Sequence, residues 1–121
     1  MSGTYQLDGE LFPQNPIAKR WSRQPIAVAG AGETIYSAFW QIELSFGILD
    51  TTTDVPFFEG KWLGGGLHTA VLPHPETAQL VQFTGTNIQD FSYELNDVDS
   101  DGWAEGGRLI INHINLGATG A

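Results

Sequence analysis

The sequence predicts a mainly β fold: an antiparallel β-sandwich or open barrel with one short α-helix, at about residues 54–63, and extended terminal arms. Three observations predict it. From Trp40 the chain alternates without a miss, with Trp40, Ile42, Leu44, Phe46 and Ile48 on one side and Gln41, Glu43, Ser45 and Gly47 on the other. Strand side chains point to opposite faces with period two, so residues 35–48 read as one long strand, dry on one face and wet on the other. A half-buried strand of this kind belongs to an antiparallel sheet whose dry face lies against a second layer. The second observation is punctuation: the remaining apolar runs are short and separated by Gly, Pro, Asn and Asp, the residues of turns. The third is that a single stretch has helical spacing. Val55, Phe58, Trp62 and Leu63 fall on one helical face, behind Thr and Asp residues suited to capping and ahead of Gly64, Gly65 and Gly66. Pro56 suits a first helical turn, and such a helix is placed to cover an open end of the core.

Taken in order, residues 1–34 are the least regular and form an N-terminal arm with a Pro-rich, basic segment and the first strands. Tyr5 and Leu7 suit a short strand, and Pro13 and Pro16 favour an extended path. Residues 26–29 read as a strand that turns at Gly30 and Gly32 into the alternating one. Residues 35–116 form the β core. After the helix come a strand at 67–72, a turn at 73–77, a return strand at 79–83 and a second turn at 85–87. The uneven step from Ile88 to Phe91, Tyr93 and Leu95 predicts a bulge. Residues 96–107 read as an acidic, glycine-containing loop. Residues 108–116 are apolar on both faces, as in a central or interface strand, with Ile110 and Ile114 as its candidate contacts. Residues 117–121 form a loose C-terminal tail.

The length of 121 residues fits one domain with a substantial core. Fourteen acids against five bases give a formal charge of −9, which argues against gripping the phosphates of nucleic acid or an anionic membrane. There is no cysteine, so disulfides, thiolate metal sites and cysteine nucleophiles are excluded. No apolar run approaches the roughly 20 residues that span a bilayer, and the first residues lack the basic start and apolar core of a signal peptide. The expectation is a chain made and kept in a cytoplasm.

Chemistry is sparsely signalled. The sharpest motif is Asp97, Asp99, Asp101 and Gly102, whose alternate carboxylates resemble the first half of a calcium loop. Arg108 stands where that loop needs a bidentate Glu, and the plainer reading is an acidic turn. No cofactor is expected, calcium being the candidate ion. His68, His74 and His113 lack metal-ligand spacing; His68 and His113 meet only if their strands pair, and His74 between two prolines reads as a turn residue. Glu43 and Glu94 are a conceivable pair of glycosidase acids, although both alternate outward with polar neighbours. No nucleophile elbow is present, and Gly64, Gly65 and Gly66 lack the Lys-Ser/Thr of a phosphate loop. The expectation is no enzyme. Lys19, Arg20 and Arg23 place three of the five bases around Trp21. They suit docking on an acidic patch of a neighbouring subunit, or a solvated turn whose Arg stems cover the indole. Trp40 and Trp62 fit the core. Trp103 in the acidic stretch is an anchor on the sheet, a sugar-stacking platform or an intersubunit plug.

The order of elements over residues 33–116 resembles the small minor-tail and distal-tail proteins of long-tailed bacteriophages, which share a β-sandwich-plus-helix fold with tail-tube subunits. The resemblance rests on the alternating strand, the acidic and Thr-rich step, the helix running into Phe57-Phe58-Glu59-Gly60-Lys61-Trp62-Leu63 and three glycines, and the Leu72-Pro73-His74-Pro75 turn. The basic N-terminal segment and the acidic stretch at 97–105 lie outside that pattern. The resemblance implies a non-enzymatic virion protein that forms a ring or trimer with copies of itself and contacts other virion proteins. Missing catalytic constellations, strand edges open to augmentation and an acidic surface past which DNA slides agree with it. A capsid decoration protein and a carbohydrate-binding β-sandwich that uses Trp103 and the 97–101 motif are the alternatives.

Overall fold

A computed structural model describes residues 4–28, 30–32, 34–98 and 101–115, with the backbone alone at 24–28, 34–38, 96–98 and 101–102. Among them run β1 (Gln6–Leu7), β2 (Glu10–Leu11), β3 (Ala18–Val28), β4 (Thr34–Ser45), β5 (Ile48–Leu49), α1 (Asp54–Leu63), β6 (His68–Pro73), β7 (Leu80–Val98) and β8 (Asp101–Ile114). The strands form an open antiparallel path, β2-β1-β6-β7-β8-β4-β3, with β5 paired to β8, and they do not close into a barrel. The predicted mainly β, antiparallel fold with one short helix is therefore correct.

Strand β7 is shared by two layers. Leu80 to Thr86 pair with β6, whereas Asn87 to Val98 pair with β8. The change occurs at Gly85, whose φ of +68° suits a residue without Cβ. Thr86 is buried there and donates its hydroxyl to the His68 carbonyl at 2.7 Å. One layer is thus β2-β1-β6-β7; the other is the four-stranded path β7-β8-β4-β3, with the two-residue β5 beside β8.

The inner faces meet in an apolar core. Ile42 and Leu44 of β4, Leu109 and Ile111 of β8, and Leu72 of β6 are fully buried. Helix α1 closes one end: Phe58 lies 5.0 Å from Phe12, 4.9 Å from Phe46 and 5.4 Å from Phe91, ring centre to ring centre. Burying one such side chain stabilises by about 1.5–3 kcal/mol. Gly107 admits Leu49 against the β8 backbone, where a Cβ would lie 2.5 Å from a Leu49 methyl.

The helix occupies the predicted span. Its first turn is held by Asp54 rather than by a threonine cap: Asp54 Oδ2 accepts from the Asp50 amide at 2.9 Å and from Gln14 Nε2 at 2.8 Å. Thr53 makes no capping bond. At the other end Gly65 takes φ +67°, as expected of a glycine past a helix end. Val55 and Phe58 face the core, but Leu63 is exposed.

Several expectations are corrected. The alternating strand ends at Ser45. The Phe46 amide bonds to the Gly107 carbonyl at 2.7 Å, the chain bends at Gly47, and the phase shifts by one residue, so that Leu49 is buried and Ile48 is 66% exposed. The N-terminal segment is no free arm: Leu7 and Phe12 are fully buried, and β3 pairs with β4 along its length. Gly85 marks a kink within β7, not a turn. The expected loop at 96–107 is a hairpin, with Asn96 opposite Trp103, Asp97 opposite Gly102 and Val98 opposite Asp101. The predicted bulge after Ile88 is present, between the Ile88 and Asp90 pairings.

Candidate functional site

The four-stranded layer has two outer edges. Strand β3 pairs only with β4, and Asn87 to Val98 of β7 pair only with β8, among the described residues. An unpaired strand edge presents a row of free N–H and C=O groups, a template for another chain. The β3 edge carries Lys19, Arg20 and Arg23 and no acid, whereas residues 87–98 carry Asp90, Glu94 and Asp97 and no base.

Registers define rows across this layer. One runs Arg20, Glu43, Ile110, Asp90, with Arg20 opposite Glu43, Glu43 opposite Ile110 and Ile110 opposite Asp90. It begins on a cation at one edge and ends on an anion at the other. On the inner face a row runs Lys19, Leu44, Leu109, Phe91, and the next runs Trp21, Ile42, Ile111, Ile88. Trp21 therefore turns inward, packing edge-on against Phe83 at 6.1 Å. Its flanking neighbour Arg23 lies over the Trp40 ring at 5.4 Å, an attraction of charge to ring face. The basic cluster is neither a turn nor an arm but the outermost strand, with Lys19, Arg20 and Arg23 all exposed. Register shifts around Pro25 interrupt the ladder beyond it, as bulges and prolines do at edges.

At the other edge, Tyr93 donates its hydroxyl to Glu59 of α1 at 3.0 Å. That bond to a carboxylate, helped by burial, holds the phenol above its ordinary pKa. Asp90 is half-buried, while Glu94 and Leu95 are exposed.

No protein-family model and no curated protein matches this chain. The site thus rests on geometry.

The other predicted residues fall as follows. Trp103 stands on β8, half-buried, its indole N–H donating to Glu105 at 2.6 Å. Ile110 is half-buried on the outward face. Ile114, expected at an interface, is fully buried in the core. The reason is a bulge at His113, φ +55°, which lets Ile111 and Ile114 face inward three residues apart, opposite Ile42 and Trp40. Strand β8 is central, paired on both sides, and offers no free edge to a partner. Asp97 and Asp101 lie in the paired arms of the β7–β8 hairpin; Asp99 lies outside the described residues. Glu43 and Glu94 are not neighbours, since β8 separates their strands, and Glu43 instead holds Arg108 at 3.0 Å. His68 and His113 are likewise separated by β7. His113 packs against Phe39, and His74 accepts the Glu76 amide within the predicted turn.

Sequence reasoning missed a charged cluster beneath the other layer. Asp8, in the β1–β2 turn, lies 2.8 Å from Nδ1 of buried His68 and accepts the Thr69 amide at 3.0 Å. Lys61 of α1 stands 3.7 Å from Asp8 and 3.4 Å from Glu10. Burial pushes the Asp8 carboxyl up, but the bonds from His68 and Thr69 and the charges of His68 and Lys61 outweigh it and hold the group below its ordinary value. Residues 8, 61 and 68 are far apart in sequence and carry no shared motif. The cluster fastens the first hairpin to β6 and the helix.

Proposed function

We propose that this chain is a non-catalytic structural subunit that assembles with copies of itself, as a ring-forming component of a phage tail. The observation that carries the reading is the β7-β8-β4-β3 layer, with one long basic edge and one long acidic edge unpaired among the described residues. A strand of 11 residues with its outer flank unpaired among the described residues exposes enough backbone for association unless something covers it. Heterologous contacts of this kind make rings when the rotation closes. The strongly negative chain suits a virion part past which DNA travels without adhering. The reading of a tail component in particular is supported by the resemblance in the order of elements along residues 33–116.

The test is the mass of the purified chain by light scattering across a range of concentrations, with electron microscopy of the same sample. Rings of uniform size support the proposal. A monomer at all concentrations that binds emptied capsid shells overturns it in favour of a decoration protein. A monomer retained on a carbohydrate column overturns it in favour of a sugar-binding module.

A further inference from the structure

We infer that the partner of the β3 edge is the acidic edge of β7, residues 87–98, on a second copy of this chain, joined in antiparallel register. The inference rests on the assembly reading above and adds which edges meet and in which direction.

Three observations carry it. The first is parity. Strands β3, β4, β8 and β7 are antiparallel to each neighbour, and they number four. In an alternating set of even size the two outer strands run in opposite directions. A second copy placed beside the first in the same orientation therefore brings its β3 antiparallel to β7, and the alternation continues without a break. Two β3 edges, by contrast, meet only if one copy is turned over, which gives a closed pair and no ring.

The second is charge. Three bases and no acid line β3; three acids and no base line residues 87–98. Pairing β3 with β3 crowds the Lys19, Arg20 and Arg23 of one copy beside those of the other, and like charges directly opposite destabilise a ladder. Pairing β3 with β7 brings a basic edge beside an acidic one and sets no like charges against each other. The Arg20–Glu43–Ile110–Asp90 row gives this a register: continued into the next copy, it places Arg20 beside Asp90 on the same face. A stagger of a few residues brings Arg20 towards Glu94 instead, so opposite charges stay near one another.

The third is length. Strand β3 spans 11 residues, and the segment from Asn87 to Val98 matches it closely enough for pairing along most of both. The edge of the other layer is unsuited, because β1 and β2 are two residues each.

The natural chain has no cysteine, so introduced thiols report the contact cleanly. Antiparallel neighbours have Cα atoms about 4.5–5.5 Å apart, within disulfide reach. Arg20→Cys is prepared alone, and Asp90→Cys, Ser92→Cys and Glu94→Cys are prepared separately to scan the register. Each is mixed with Arg20→Cys under mild oxidation, and the products are separated without reductant. The expected result is a cross-linked dimer in at least one mixture, at least tenfold above Arg20→Cys alone. A chain carrying both cysteines of the best pair is expected to give a ladder of multimers ending at the ring mass. Arg20–Arg20 products in excess overturn the inference in favour of a closed pair of β3 edges. Ring-sized mass with no cross-link in any mixture overturns the inference while leaving the assembly reading intact. A monomer with no cross-link overturns both.

Discussion

Asp8 and His68 stand 60 residues apart in sequence, yet their side chains meet at 2.8 Å. The carboxylate turns a two-residue strand pair into part of the fold, since the same group accepts the Thr69 amide and faces Lys61. Asp8→Asn keeps the shape and removes the charge. A loss of about 1 kcal/mol is expected, the value of a charge-assisted hydrogen bond reduced for partial exposure. The midpoint of urea unfolding at neutral pH checks it.

The same pair sets a dependence on pH. The Asp8 carboxyl lies below its ordinary value in the folded chain. Its contribution is therefore complete above the unfolded carboxyl pKa of about 3.9 and vanishes as pH falls through the lower folded value. Urea midpoints measured downward from pH 6 are expected to fall more steeply for the wild type than for Asp8→Asn, with the gap closing at the acid end. Parallel curves defeat the assignment.

Gly107 has no room for a side chain. An added Cβ meets a Leu49 methyl at 2.5 Å and the Phe46 Cβ at 3.3 Å, both on buried residues. Gly107→Ala is expected to cost about 1–3 kcal/mol through overpacking. Gly60→Ala makes the contrast: nothing lies within 4 Å of the new methyl, and alanine favours a helix interior by about 1 kcal/mol. Thermal midpoints are expected to move in opposite directions.

Phe58 touches the rings of Phe12, Phe46, Phe57 and Phe91. Phe58→Ala is expected to lose about 3–5 kcal/mol, a large share of the stability of a domain this size. Chemical denaturation measures it, and a loss under 1 kcal/mol means that the helix does not seal the core.

Trp21 buries its indole N–H without an acceptor among the described residues. Trp21→Phe keeps a ring to pack on Phe83 and removes the stranded donor. An unmet buried polar group costs about 1–3 kcal/mol, which offsets the lost apolar area, so the variant is expected to fall within about 1 kcal/mol of wild type. A much larger loss, read from urea unfolding, points to a role for the indole in packing that exceeds its hydrogen-bonding cost.

What the sequence discloses follows from how local each feature is. The inward set Ile42, Leu44 and Phe46 was readable because strand periodicity is written into adjacent residues. The helix was readable because three glycines stop it. Gly85 reads as a turn in the sequence because bulges and turns ask for the same positive φ; only the partner strands decide which forms. The stretch at 96–107 reads as a loop because acids and glycines favour one, yet residues 96–98 pair with 101–103, and Ala104 and Glu105 pair with Leu95 and Glu94. Ile114 falls inward, against its expected place at an interface, because the bulge at His113 changes its face, and nothing adjacent announces that bulge. Phe12, set among Pro13, Gln14 and Asn15, gave no sign of reaching the core. The basic cluster was noticed from composition alone, but its standing at the rim depends on strand order. Its acidic counterpart at Asp90 and Glu94 was hidden for the same reason.

Strand β8 follows every one of its partners in the chain, although it lies at the centre of the four-stranded layer. During synthesis β4 emerges with only β3 beside it, and some sixty residues pass before the strand that joins it to β7 leaves the ribosome. Non-local pairings of this kind form slowly, and until then β4 offers an open flank to any neighbouring nascent chain. A truncated product lacking β8 has no layer to complete. Only chains translated through residue 114 therefore complete the layer and carry both of its rims together.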